Sequence, residues 1–190
     1  MKYLPLLFSC AHIVCAAAAA AEPAPAVMNE QLKSLVFSST GELHIVGVDK
    51  DDDRNLRWVT WSERSEQGST ARLAVVGNSA QGPNMLSSVE RRDAYAPSIV
   101  RAHPWNYGKH PVLAWTYQYG AAAQTLELYG LDDKDQLVKL DEASGALITW
   151  SINGQGKMLA NIHEQANARL STNCYGWQEK QHKLLKASCR

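Results

Sequence analysis

From Gln31 onward no stretch of the chain sustains a helical apolar period over several turns. The apolar residues come instead in short runs rich in Val, Ile, Leu, Trp and Tyr, cut by Gly, Asn, Asp and Ser. A chain patterned this way has to bury its apolar surface by pairing strands. The runs predict strands at Leu32–Ser38, Glu42–Val48, Leu56–Glu63, Ala71–Gly77, Met85–Arg91, Pro111–Tyr119, Thr125–Leu131, Gln136–Leu140, Ala146–Ile152, Lys157–His163, Leu170–Trp177 and Lys183–Ala187. About twelve short strands at this spacing make an all-β domain built as an antiparallel meander. The alternation of Leu43 and Ile45 with Glu42, His44 and Val46 agrees, because successive strand residues point to opposite faces. At most one short helix is expected, and the best helical rival, Ile162 to Leu170, is broken by polar positions.

Tight hairpin turns are expected at Ser39-Thr40-Gly41, Ser144-Gly145 and Asn153-Gly154-Gln155-Gly156, where Gly and Asn accept positive φ. Two longer polar loops, Asn78–Asn84 and Ala102–His110, are where a β domain most cheaply displays binding residues. The second is Pro-bounded and holds His103, Trp105, Tyr107 and His110. Two readings are open for it. As a recognition surface, its aromatic rings anchor a partner, and replacing Trp105 and Tyr107 by Ala would abolish binding with melting nearly unchanged. As caps of the core, the same rings would be needed for folding. Most of the six tryptophans are expected in the core, but Trp58, if it faces outward beside Arg57, would be a further anchor for a partner or a sugar.

The chain also echoes itself. Tyr129-Gly130-Leu131-Asp132-Asp133-Lys134 matches Tyr175-Gly176-Trp177-Gln178-Glu179-Lys180 at an offset of 46 residues, and Val46-Gly47-Val48-Asp49-Lys50-Asp51 is a looser copy. Periods of this length suggest stacked or radial β units, so a small propeller-like repeat architecture is expected, with a duplicated hairpin in a two-sheet β-sandwich as the alternative. The run Gly47-Val48-Asp49-Lys50-Asp51-Asp52-Asp53-Arg54-Asn55-Leu56 resembles the calcium loop of FG-GAP and integrin-type β-propeller repeats, and Tyr175-Gly176-Trp177 resembles their aromatic closing strand. The likeness covers about a third of the chain and implies a repeated β architecture. Arg54 stands where that family's loop has Gly.

Asp49, Asp51, Asp53 and Asn55 place oxygen ligands at alternate positions, a pattern that suits a hard cation such as calcium; no other cofactor is expected. The rival reading is a solvated turn kept soluble by its charges. The histidines at 44, 103, 110, 163 and 182 show no metal-ligand spacing. The chain has no GxSxG elbow and no Gly-rich phosphate loop, and a hydrolytic carboxylate pair among Glu42, Glu63, Glu90, Glu127 and Asp141 has no motif behind it.

Met1-Lys2-Tyr3, an apolar run to Ala21 and then Glu22-Pro23 outline a secretory signal over residues 1–21, cleaved after Ala21. Stable membrane insertion is not expected, since His12 and the weakly apolar Ala16–Ala21 weaken the run as an anchor. Leu7-Phe8-Ser9-Cys10 gives lipidation of Cys10 as the alternative. Residues 22–30, with Pro23 and Pro25, form an extended tether, and residues 31–190 form one domain. Cleavage removes Cys10 and Cys15, so Cys174 and Cys189 are expected to pair in an oxidising compartment.

At 45% hydrophobic and 20% charged residues the chain is an ordinary globular one, and nineteen Lys and Arg against nineteen Asp and Glu exclude a phosphate-tracking, nucleic-acid role. What remains is a periplasmic or secreted, non-enzymatic binding protein, with an inhibitor or immunity protein for an exported toxin or hydrolase as the leading form. The alternatives are a calcium-stabilised carbohydrate-binding or adhesion module and a hydrolase without a recognisable motif. If the acidic turn takes calcium, adding the ion should raise the melting temperature and a chelator should reverse the rise, by the linkage of binding to folding. An unchanged melt would remove the calcium site.

Overall fold

The computed structural model of the chain describes residues 44–51, 56–79, 82–120, 123–166 and 169–189. Twelve strands follow one another: β1 His44–Asp51, β2 Leu56–Ser65, β3 Gly68–Ser79, β4 Gly82–Arg92, β5 Ala94–Tyr107, β6 His110–Tyr119, β7 Ala123–Leu131, β8 Leu137–Gly145, β9 Leu147–Ile152, β10 Met158–Ala166, β11 Arg169–Gln178 and β12 Lys183–Ala187. The helical content of the described residues is a single 3-10 turn at Glu179–Gln181. The strands form three four-stranded sheets, β1–β4, β5–β8 and β9–β12, and each strand pairs antiparallel with its sequence neighbours inside its sheet. Over the described residues the protein is therefore all-β and a meander, with three sheets where a sandwich has two.

The sheets stack face to face. One core lies between the first and second sheets, where Leu56, Trp58, Leu73 and Val75 meet Leu113, Trp115, Tyr117, Tyr129 and Leu131. A second core lies between the second and third, where Ala102, Trp105, Val112, Leu126 and Leu128 meet Ile148, Ala160 and Ile162. The second sheet is thus covered on both faces, which is why β6 is buried without a break from Val112 to Tyr117 and β7 from Leu126 to Leu131. β2 is likewise buried from Leu56 to Trp61. Trp58 and Trp61 fall on opposite faces, as their spacing requires, yet they are only 1% and 2% exposed. The expectation of an outward Trp58 is corrected accordingly: its ring is core.

Eleven of the expected strands coincide with β1–β4 and β6–β12, while Leu32–Ser38 lies outside the described residues. β5 was not foreseen. Pro97 and Pro104 argue against a strand, but β5 is the edge of its sheet and its pairing with β6 shifts register between Tyr95 and Ser98 and again between Arg101 and Asn106. Each proline sits in one of those irregular stretches, where a missing N–H breaks no ladder bond. The two expected loops shrink because strand pairing runs into them. Asn78 and Ser79 still belong to β3, β4 starts at Gly82, and Ala102–Tyr107 is strand with a turn only at Gly108-Lys109. Ser144-Gly145 is no hairpin; the chain crosses there from the second sheet to the third.

Two turns share one construction. Asp132 Oδ1 accepts from the backbone N–H of Lys134 and Gln136 at 2.9 and 2.8 Å, and Asn153 Oδ1 accepts from Gln155 and Lys157 at 3.0 and 2.9 Å. Each turn closes through a left-handed residue, Asp135 at φ 60° and Gly156 at φ 73°. Asp and Gly are among the residues that accept that conformation. The first strand-turn pair of the internal repeat belongs to β7, at Tyr129-Gly130, and the second to β11, at Tyr175-Gly176; both are the third strand of their sheet. The looser copy, Val46-Gly47, lies instead in a first strand.

Polar side chains stitch the stack. Trp115 donates its indole N–H to Thr60 Oγ1 at 2.8 Å, and Leu137 N–H donates to Ser87 Oγ at 3.1 Å, across the first and second sheets. Both edges of the third sheet are capped from the second: Ile148 N–H on β9 donates to Gln124 Oε1 at 2.6 Å, and Leu184 N–H on β12 donates to Asp141 Oδ2 at 2.7 Å. Cys174 and Cys189 are bonded, with Cα atoms 5.3 Å apart, and the staple ties the end of the chain to β11. The two cysteines are 15 residues apart in sequence, and closing such a loop stabilises by about 3 kcal/mol in the chain-entropy account.

Glu127 on β7 is the charged residue buried most deeply among those described, at 1% exposure. Arg91 on β4 binds it through both Nε and Nη2 at 3.0 Å, Lys139 Nζ donates at 2.9 Å, and the Tyr129 and Tyr117 hydroxyls donate at 2.7 and 3.2 Å. Burial alone would push the Glu127 carboxyl up. The hydrogen bonds from Arg91, Lys139 and Tyr129 outweigh it and hold the carboxyl below its ordinary value. Burial and then the charge of Glu127 push the Tyr117 hydroxyl up to about 12.

A lowered carboxyl contributes stability that is complete above the ordinary carboxylate range and is lost as pH falls through the lowered value. Glu127→Gln should therefore cost about 2–3 kcal/mol at neutral pH, less than for a wholly buried pair because Arg91 and Lys139 reach solvent. The variant should also flatten the acid limb of a denaturation-against-pH curve. Equal acid sensitivity in both proteins would show that Glu127 does not carry it.

Candidate functional site

β5 enters its second irregular stretch after Arg101 and rejoins β6 at Asn106, leaving residues 102–105 unpaired with the strand beside them. That detour, which contains the cis His103–Pro104 bond, carries Trp105 out of the second sheet and into the core it shares with the third. Trp105 donates its indole N–H to the Met158 carbonyl on β10 at 3.2 Å. Its ring stacks on Trp177 of β11 with centroids 6.1 Å apart and meets Trp150 of β9 edge-on at 5.9 Å. Trp177 in turn stacks on His182 at 6.3 Å, and its own N–H donates to the Asn106 carbonyl at 3.0 Å. An aromatic ladder thus runs from the buried seam outward along the end of the third sheet.

Beside this ladder opens a cleft of about 610 Å³. The rings of Trp105 and Trp177 and the side chains of Met158, Leu159 and Leu185 give it apolar wall, Gly176 leaves a gap in its floor, and Lys157 and Lys186 stand on its rim. Gln155, Gln178 and Glu179 add polar groups. The Asn153 amide oxygen also reaches the cleft, but it is already engaged by the two turn N–H groups. Leu185 is 42% exposed, and Ile152, next to the rim residue Asn153, is 74% exposed.

The residues singled out in the sequence are dispersed by the fold. Trp105 is 5% exposed and belongs to the core, so the reading of its ring as a free surface anchor is corrected, although one side of it still borders the cleft. Tyr107 is half-buried, edge-on to His182 at 4.8 Å and packed over Gly130. His103 is exposed, and His110 lies across the hairpin from Tyr107 and is half-buried. Neither histidine lines the cleft. Trp58 is in the opposite core. Asp49 and Asp51 lie in β1, opposite Trp58 and Leu56, while Asp53 and Asn55 fall outside the described residues. Among the described residues no group of three His, Cys, Asp or Glu side chains is placed to hold a metal.

Trp150, Trp177, Lys157, Lys186 and Leu185 were not anticipated as site residues. The signal that pointed nearest to them was the repeated Tyr-Gly pair, which marks Gly176. No protein-family model, curated protein or solved structure matches the chain. The likeness to calcium-loop propeller repeats rests on its local residues alone.

The burial of Trp105 makes it a structural member of this site. Trp105→Ala should lower stability by about 3–5 kcal/mol in chemical denaturation, in the range of a large aromatic removed from a core. A cost within about 0.5 kcal/mol, as at a surface position, would return the ring to the recognition surface.

Proposed function

We propose that the protein is an exported, non-enzymatic binding protein that recognises another protein, in the manner of an inhibitor or immunity protein for an exported toxin or hydrolase, and that the cleft beside Trp177 is its recognition site. The observation that carries this reading is the cleft itself. A half-exposed tryptophan face, exposed Leu185 and Ile152, and cationic rim groups gather at one end of one sheet. Aromatic rings with an apolar centre and a polar rim are the composition of protein-binding hot spots. A sugar site needs several directional polar groups that are free to reach ring hydroxyls. Here the indole N–H groups of Trp105 and Trp177 and the Asn153 amide oxygen are already engaged inside the fold, so the polar side chains left to a ligand are Gln155, Gln178, Glu179 and the two lysines, and it is the exposed apolar groups beside them that favour a protein.

Catalysis is disfavoured by the state of the best-buried carboxylate. Glu127 accepts from Arg91, Lys139, Tyr117 and Tyr129, which leaves it saturated, and it lies on the far side of the second sheet from the cleft. Export is supported by the leader-like residues 1–21 and by the Cys174–Cys189 bond, since disulfides persist in oxidising compartments. Among the described residues no helix is long and apolar enough to cross a membrane.

A tagged chain beginning at Glu22 should capture one protein at a fixed stoichiometry from the exported fraction of the producing cell, without reductant and with or without chelator. Trp177→Ala should lose that protein while retaining its fold by circular dichroism. Binding to a glycan array, or hydrolysis of a sugar polymer, with no protein captured would overturn the reading in favour of a carbohydrate module or an enzyme.

A further inference from the structure

Gly130 and Gly176 hold matching positions in the third strands of the second and third sheets, and what lies above each is different. A Cβ on Gly130 would sit 2.5 Å from Cδ1 of Tyr107, so that ring already fills the space. A Cβ on Gly176 would meet only Leu159 Cδ2 at 3.5 Å and Ala187 Cβ at 3.7 Å, both ordinary contacts. The hollow that Tyr107 closes in one sheet is therefore open in the next, where it forms part of the cleft.

Cross-strand register shows what shares the face with Gly176. Leu185 pairs opposite it, Cys174 pairs with Asn161 and Ala187 in the adjoining row, and His163 pairs with Leu147 and Thr172 beyond. Cross-strand partners lie on one face, and so do residues two apart along a strand, which adds Leu170 beside Thr172. Leu147 and Leu170 are 48% and 65% exposed. On this outer face, which none of the other described sheets covers, exposed Leu147, Leu170 and Leu185 stand among the polar side chains of Asn161, His163 and Thr172.

Charge indicates what covers it. Residues 147–189 hold five basic side chains, Lys157, Arg169, Lys180, Lys183 and Lys186, against Glu164 and Glu179. Some cations of the first two sheets are paired within the fold, Arg72 by Glu63 and Glu90, Arg91 by Glu127, and Lys139 by Glu127 and Glu142. Among the described residues Lys157 and Lys186 have no such carboxylate; both border the cleft, Lys186 from the edge strand, where it pairs with Tyr175 and starts from the other face. Two copies of this chain joined through the face would set the same cations against each other, which opposes self-association.

We infer that the cleft at Gly176 receives an acidic segment of the protein partner, with an apolar side chain in the hollow between Leu159 and Leu185 and carboxylates on Lys157 and Lys186; this inference rests on the protein-binding reading above. The acidic groups supply steering and register, and the apolar insertion supplies the dry contact that slows release.

The test uses a fluorescein-labelled peptide of alternating Glu and Leu, its Lys-and-Leu counterpart, and an oligogalacturonate as a non-peptide polyanion. Each is titrated by anisotropy against the chain from Glu22 and against its K157E/K186E variant, whose exposed positions leave the melt unchanged. The acidic peptide should bind the native chain, lose at least about ten-fold in affinity to the variant, and weaken as salt screens the pair; the basic peptide should not bind. No binding of the acidic peptide, equal binding of both peptides, equal binding to chain and variant, or binding of the oligogalacturonate alone would overturn the inference. Capture of the same cellular protein by native chain and variant alike would also overturn it while leaving the protein-binding reading intact. Failure to capture any protein would overturn both.

Discussion

A carboxylate placed between stacked sheets has to be answered by positive charge, and the way Glu127 is answered decides how the first two sheets sit on each other. Its partners come from four strands, Arg91 on β4, Tyr117 on β6, Tyr129 on β7 and Lys139 on β8. Arg91 is the member from the first sheet, so its fork and the carboxylate specify one alignment of that sheet's last strand on the second sheet. Apolar side chains meet well in many alignments, whereas a fully bonded carboxylate is satisfied in few. The apolar contacts of Trp58, Leu73, Trp115 and Tyr129 supply the bulk of the attraction, and the polar cluster makes it specific.

The sheet class was legible because the signals that define it are local. Short Val- and Trp-rich runs between Gly and Asn turns needed no knowledge of partners, and eleven strands emerged where the runs lay. β5 was hidden because Pro97 and Pro104 weigh against a strand unless the strand is an edge with irregular pairing, and edge status is a property of the whole sheet. The spacing of Trp58 and Trp61 gave their opposite faces correctly, but only the folded chain shows that both rings are buried, Trp58 against the second sheet.

The candidate site was less legible, for a physical reason. Its members come from β5, β10, β11, β12 and the turn after β9, so no window of sequence contains them. The aromatic stretch around Trp105 was noticed because its residues are contiguous, and folding then sends Trp105 inward and leaves Tyr107 closing the space above Gly130. Trp150 and Trp177, in ordinary strand surroundings, carried no mark to distinguish half-exposed from buried. The recurrence of Tyr-Gly did carry information, because it aligned the two positions whose surroundings turned out to differ.

The caps on the edges of the third sheet bear on how this chain survives when crowded. Gln124 takes the outward N–H of Ile148 and Asp141 that of Leu184, so each edge is blunted by a side chain anchored in a different sheet. A foreign strand seeking to lengthen this sheet must first displace a group held by the neighbouring layer. Fibre growth and strand exchange are thereby tied to separation of the second and third sheets. A protein that shows bare leucines on one face can then keep its neighbours off its backbone while leaving that face accessible.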